Sequence, residues 1–148
     1  MSANAEARLK ELGISLPDAM APIANYVPAV TAGNLIYLAG HLGPGTGKVG
    51  INVSVEDAYQ AARAAAIGQL ARIRSECGSL DRVRRIVKVN GFVACPPDFT
   101  DHPRVINGAS DLLVEVFGEE GKHARSAVGV PSLPLDAPLE VEMNVEIE

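Results

Sequence analysis

The sequence predicts an α+β domain, and three observations carry that reading. First, 148 residues with 47% hydrophobic and 21% charged side chains supply one core without metal or disulfide staples. Second, two long helix-like segments are interleaved with short runs rich in Val, Ile and Leu, giving the order β-β-α-β-α-β-β. Third, the closing run LEVEMNVEIE (139–148) alternates strictly. Leu139, Val141, Met143, Val145 and Ile147 point one way, and Glu140, Glu142, Asn144, Glu146 and Glu148 the other. Two helices cover only one face of a sheet of five or more strands, so the opposite face is expected to be polar.

The elements follow in chain order. AEARLKEL (5–12) fits a short helix with Leu9 and Leu12 on one side and Gly13 as its stop. ISLPDAMAP is a proline loop, and residues 1–21 read as a helical extension of a single domain spanning 1–148. YVPAV (26–30) and NLIYLAGHL (34–42) are strand-like and joined by TAGN. GPGTGKVG (43–50) is a flexible hairpin loop. It is not a phosphate-binding P-loop, because Val49 rather than Ser or Thr follows Lys48.

Val55–Cys77 carries the clearest helical signal. Ser54 is a candidate N-cap, Glu56 and Asp57 suit the first turn, and Gly78 ends it. Ala58, Ala62, Ala65, Gln69 and Arg72 form one line, and Ala61, Ala64, Gly68, Ala71 and Ser75 a small-residue line suited to close approach to a sheet. A strand is expected from about Val83 to Ala94, followed by the proline loop PPDFTDHPR. The second helix spans 105–121, with Val105, Leu112 and Val116 inward and Leu113 a further candidate. ARSAVGVPSL (124–133) is a strand, PLDAP a turn, and 139–148 the final strand.

Composition narrows the partners. The formal charge is −5, the one basic cluster is RVRR (82–85), and aromatics are 4%, a weak basis for binding nucleic acid. No apolar run approaches the length of a membrane span, and MSANAEARLKELG lacks a signal peptide's basic start and apolar run. Cys77 and Cys95, without CxxC, read as buried reduced thiols of a cytoplasmic protein. Metal and cofactor motifs are not expected.

One residue asks for an explanation. Arg125 stands at the mouth of a small-residue strand, where a guanidinium rarely goes unpartnered. Extending the alternation, Ile36, Leu38 and Leu42 face the helices, with Tyr37, Ala39 and His41 opposite. Ser126, Val128 and Val130 likewise go to the core, with Arg125, Ala127 and Gly129 opposite. Alternation therefore places Arg125, Glu140 and His41 on one side of the sheet.

The segments NYVPAV…GNLIYLAGHL and ARSAVGVPSLPLDAPLEVE resemble the reactive intermediate deaminase family, also called RidA or YjgF-like and, in some members, endoribonuclease L-PSP. The resemblance runs from about Pro22 to Ile147, and the N-terminal extension suggests a side branch. It implies a chorismate-mutase-like fold with a mixed sheet, assembled as a homotrimer with clefts between subunits. It also implies cofactor-free hydrolysis of small 2-imino and 2-enamino acids to 2-keto acids and ammonia. By position, Arg125 matches the carboxylate anchor and Glu140 the acid that holds the attacking water. Tyr26, Asn107, Gly40, His41 and the Ala127 backbone N–H match substrate-binding positions.

Three departures bear on substrate. Many deaminating members have Ser at Ala39, Gln at His41 and Cys at Ala127. Plainer readings stand beside each role. Arg125 pairs with an acid of a neighbouring subunit, and Glu140 is one of several solvated carboxylates. His41 and Tyr26 are walls of the cleft, and Asn107 braces its helix. His102 and His123 are solvent-exposed loop residues. The whole-protein alternatives are a non-catalytic trimer binding small carboxylates and, less favoured, a ribonuclease or translation inhibitor.

Overall fold

The computed structural model describes residues 4–148. Its elements are α1 (Ala5–Glu11), β1 (Ala29–Ala32), β2 (Leu35–Leu42), α2 (Val55–Cys77), β3 (Val83–Ala94), α3 (His102–Phe117), β4 (Ala124–Val130) and β5 (Leu139–Ile147), with short 3-10 turns between them. The five strands form one mixed sheet in the order β1-β2-β5-β3-β4, in which only β3 and β4 run parallel. A parallel pair needs a crossover, and α3 supplies it. Among the described residues, no helix is long and apolar enough to cross a membrane.

α2 begins and ends where capping chemistry places its boundaries. The Asp57 N–H donates to Ser54 Oγ at 3.0 Å, and Gly78 leaves the helix at φ 95°. Ala58, Ala62, Ala65, Gln69 and Arg72 are all buried, as their spacing requires. Ser54→Ala is expected to cost about 1 kcal/mol, lowering Tm by about 2–4 °C in a thermal melt. An unchanged Tm would show that the hydroxyl is replaceable by water.

The core is filled by the alternating set of β5, by Ile36 and Leu38 of β2, by Ile86, Val89 and Val93 of β3, and by the inner faces of α2 and α3. α1 joins it through Ala5 and Leu9. On α3, Val105, Leu112, Leu113 and Val116 are buried as expected. The helix starts three residues earlier than its apolar pattern suggests, because Pro103 is accommodated in its first turn. The last expected turn, 118–121, is a 3-10 segment instead.

Other boundaries shift for identifiable reasons. β1 begins only after Pro28, and its turn into β2 is centred on Gly33 at φ 63°. The glycine-rich segment 43–50, expected to be a flexible hairpin loop, is a pinned connection into α2. Val49 is fully buried and donates to the Ala94 carbonyl, and Lys48 pairs with Asp136 at 3.0 Å.

Three strands depart from simple alternation: β3 is irregular at 83–88, away from the site, and β2 and β4 bear on the site itself. In β2, Leu38 faces Met143 and His41 faces Val141, so Ala39 and Gly40 together oppose Glu142. This β-bulge reverses the parity beyond it. His41 turns to the helix side, against Gly68 of α2, and Leu42 moves to the open face opposite Glu140. In β4 the parity is the reverse of the expected one throughout. Arg125, Ala127 and Gly129 align with Val89, Gly91 and Val93 on the helix side, leaving Val128 46% exposed. The uncovered face therefore carries apolar groups, Tyr37, Phe92 and Val128, among the acids of β5.

Candidate active site

A cleft of about 760 Å³ opens beside β2 where β1 stops. Its walls are the 17–26 loop, the bulged end of β2, one side of α2 and the start of β5. Tyr26, Gly40, His41 and Glu140 all line it. The bulge frees two backbone carbonyls, and α2 is built to meet them. Gln69 Nε2 donates to the carbonyls of Ala39 (2.9 Å) and Val141 (2.7 Å), while Arg72 Nη1 donates to those of Ala39 (3.0 Å) and Gly40 (3.1 Å). Such satisfaction is required, because buried carbonyls left unpaired are costly.

Glu140 lies across Gly40, where any Cβ would overlap its carboxylate. Glycine at 40 thus lets the Glu140 side chain lie close against the strand, and a Cβ there would displace the carboxylate. Burial pushes the Glu140 carboxyl above the ordinary glutamate range; Glu142 adds to this by repulsion, and Arg72 draws it partly back. His41 is 8% exposed and its Nδ1 sits 3.0 Å from the Leu42 carbonyl, which assigns the ring proton to Nδ1. Burial lowers its pKa, the Leu42 hydrogen bond opposes this, and the nearby Arg72 charge lowers it further. The imidazole is therefore neutral at neutral pH.

Arg125 is not in this cleft. It occupies the edge strand β4, under α3, where Nη1 donates to Asn107 Oδ1 at 2.9 Å and Ser110 Oγ at 3.1 Å, and Nη2 to the Pro103 carbonyl at 3.4 Å. Every one of these acceptors is neutral. Asn107 thus braces Arg125, and Ala127, partly buried, follows on the same side of β4. The expectation that Arg125, Glu140 and His41 share one face fails within a single chain. Glu140 alone is on the open face; Arg125 and His41 are on the helix side, separated by β5 and β3.

Neither His102, which opens α3 rather than lying in a loop, nor His123 is free in solvent. Ser110 Oγ and His123 Nε2 are 2.8 Å apart, and His123 Nδ1 meets the Gly121 carbonyl. Ser110 therefore connects His123 to Arg125. His102 Nε2 lies 3.5 Å from Cys95 Sγ, and its ring packs edge-on against Phe99. Cys95 is buried and Cys77 partly so, both as free thiols. Sequence reasoning placed Arg72 on the buried line of α2 without assigning it a role. Its signal was a lone charge in a row of alanines.

Two long helices on one face of a five-stranded mixed sheet, with an acid beside a bulged strand end, define a chorismate-mutase-like α+β domain. The chain belongs to the YjgF/RidA-like family: the model described as "YjgF/chorismate_mutase-like, putative endoribonuclease" matches residues 6–147. It is 45% identical to Protein TCP17 of Trypanosoma cruzi over 153 residues, covering 99% of this chain and 96% of that one. It is 33% identical to a 2-iminobutanoate/2-iminopropanoate deaminase of Dermatophagoides farinae over 135 residues, covering 91% and 95%. Among solved structures, Atu1372 of Agrobacterium tumefaciens, described as of unknown function, superposes with a TM-score of 0.90 at 46% identity, covering 99% and 94%.

Proposed function

We propose that this protein hydrolyses small 2-imino and 2-enamino acids to 2-keto acids and ammonia, without a cofactor, at clefts between the subunits of a cytoplasmic homotrimer. The observation that carries the reading is the division of the site residues into two incomplete halves. One half holds Glu140, Tyr26, Gly40 and His41 beside β2. The other holds Arg125 and Ala127 of β4 and Asn107 of α3, with a charged fork that, among the described residues, no acid pairs with. A neighbouring subunit docked on the uncovered sheet face, through apolar groups such as Tyr37 and Val128, brings one half against the other. The mite relative's name supports the same chemistry.

In this scheme Arg125 grips the substrate carboxylate and sets the C=N carbon in front of Glu140. The Glu140 carboxylate takes a proton from water as the oxygen bonds to that carbon. It returns that proton to nitrogen, giving the carbinolamine. It then takes the proton of the new hydroxyl and passes it to the same nitrogen, so that C–O becomes C=O as the C–N bond breaks and ammonia leaves. Ala39 and Ala127 leave both walls wider than Ser and Cys would, so a bulkier side chain is accommodated. Imines generated in situ by an amino-acid oxidase, followed by loss of the imine signal, test the activity. No acceleration over the uncatalysed decay contradicts it, and keto-acid binding without acceleration favours the carboxylate-binding module.

The pH dependence follows from the same acid. Glu140 works as the carboxylate, and burial raises its pKa, so activity falls as pH drops. The acidic limb of kcat/KM is expected at higher pH than an ordinary glutamate would give. Glu142→Gln removes a repelling charge and is expected to shift that limb downwards. A limb unmoved by Glu142→Gln would assign it to another group.

A further inference from the structure

Arg72 is charged, buried and unused by the reaction above. Its side chain is 5% exposed, and its Nη1 spends its bonds on neutral acceptors: the two bulge carbonyls and Gln69 Oε1 at 3.3 Å. Its Nε is buried and has no hydrogen-bond partner among the described residues. Among the described residues, no carboxylate comes within ion-pairing distance of it. Glu140 acts on it only through space, and burial pulls the guanidinium pKa down against the influence of Tyr26 and Glu140.

Bulge carbonyls require donors, not a positive charge, and Gln69 already meets two carbonyls with an amide. A glutamine-like donor would suffice for the brace. A buried guanidinium lacking a counterion is costly unless a charge arrives to meet it. Arg72 lines the same cleft as Glu140.

We propose that Arg72 receives a second acidic group of the substrate, so that the preferred substrates are 2-imino dicarboxylic acids rather than simple monocarboxylates. This rests on the deaminase reading for its chemistry: Arg125 of one subunit takes the carboxylate next to the reacting carbon, and Arg72 of the other takes the distal one. Two guanidinium anchors on either side of Glu140 set the length and charge of the substrate. The widening at Ala39 and Ala127 gives that longer chain room.

Calorimetric titration with keto-acid products tests the inference independently of turnover. Wild-type protein is expected to bind 2-oxoglutarate at least about tenfold more tightly than 2-oxobutanoate, or than the 5-methyl ester of 2-oxoglutarate, a difference of about 1.4 kcal/mol. Arg72→Gln keeps a donor for the bulge and is expected to bring the ratio close to one, while Arg72→Lys keeps part of it. Equal wild-type affinity for 2-oxoglutarate and its ester overturns the proposal even if no variant folds. A parallel loss for all ligands in Arg72→Gln, with the ratio kept, overturns it as well and leaves Arg72 a brace of the bulge. Imine turnover is measured alongside. Discrimination without turnover would sink the reaction and keep the second anchor; turnover without discrimination would do the reverse.

Discussion

Arg125→Ala is expected to lower kcat/KM on 2-imino acids by two orders of magnitude or more while leaving the fold intact. A bidentate guanidinium–carboxylate pair consists of charge-assisted hydrogen bonds, each worth about 1.5–3 kcal/mol, and about 3 kcal/mol corresponds to a factor above 100. The fold is spared because Arg125 is only partly buried and bonds neutral acceptors that water replaces at the edge of the sheet. Arg125→Lys keeps the charge but not the fork and is expected to fall between the two. Steady-state kinetics with a thermal melt as control separates the cases. A variant with wild-type kcat/KM would remove Arg125 from the site, and one that fails to fold would make it a structural brace.

Gly108→Ala is expected to produce the largest loss of stability of any single methyl added to the chain. Gly108 is where α3 crosses α2. A Cβ there would overlap the Tyr59 carbonyl oxygen, sit 2.8 Å from the Tyr59 carbonyl carbon and 3.1 Å from the Arg63 nitrogen. These are backbone atoms of a helix, so no rotamer change relieves the clash; the two helices must part. We expect a cost of about 3 kcal/mol or more, and a Tm about 6–12 °C lower. Gly78→Ala, at φ 95° with open space around it, is the control: it carries only backbone strain, about 1 kcal/mol. A Gly108→Ala melt within about 2 °C of wild type would mean that the helices cross more loosely than described.

The sequence made some elements legible and hid others, for physical reasons. α2 was readable to the residue because its cap, its alanine stripe and its terminal glycine are local signals. β5 was readable because it pairs on both sides and buries one face, so its alternation is uninterrupted. β2 misled at Ala39 and Gly40, since a bulge adds a residue without adding a pattern of its own. β4 misled because small residues pass beneath α3 while Val128 faces outward, the opposite of apolar-inside. Alternation cannot distinguish an apolar residue on an open face from one in a core.

The candidate site divides the same way. Glu140 and Arg125 were singled out as candidates by the residues around them, Glu-x-Glu in a terminal strand and Ala-Arg-Ser opening another. Their separation across the sheet was not, because it depends on strand order and on one bulge. Arg72 carried a signal that passed without comment: a charge in a buried helical stripe has to be neutralised by something.

The most direct test of the two-halves claim is complementation between inactive variants. Arg125→Ala and Glu140→Gln chains are unfolded together, refolded as mixed assemblies and assayed on 2-iminopropanoate. If each site joins Arg125 of one subunit to Glu140 of the next, random mixing in a closed ring restores about a quarter of wild-type activity. Activity no higher than that of the separate variants would place the two residues in one subunit's site or outside any site, and the account would fail.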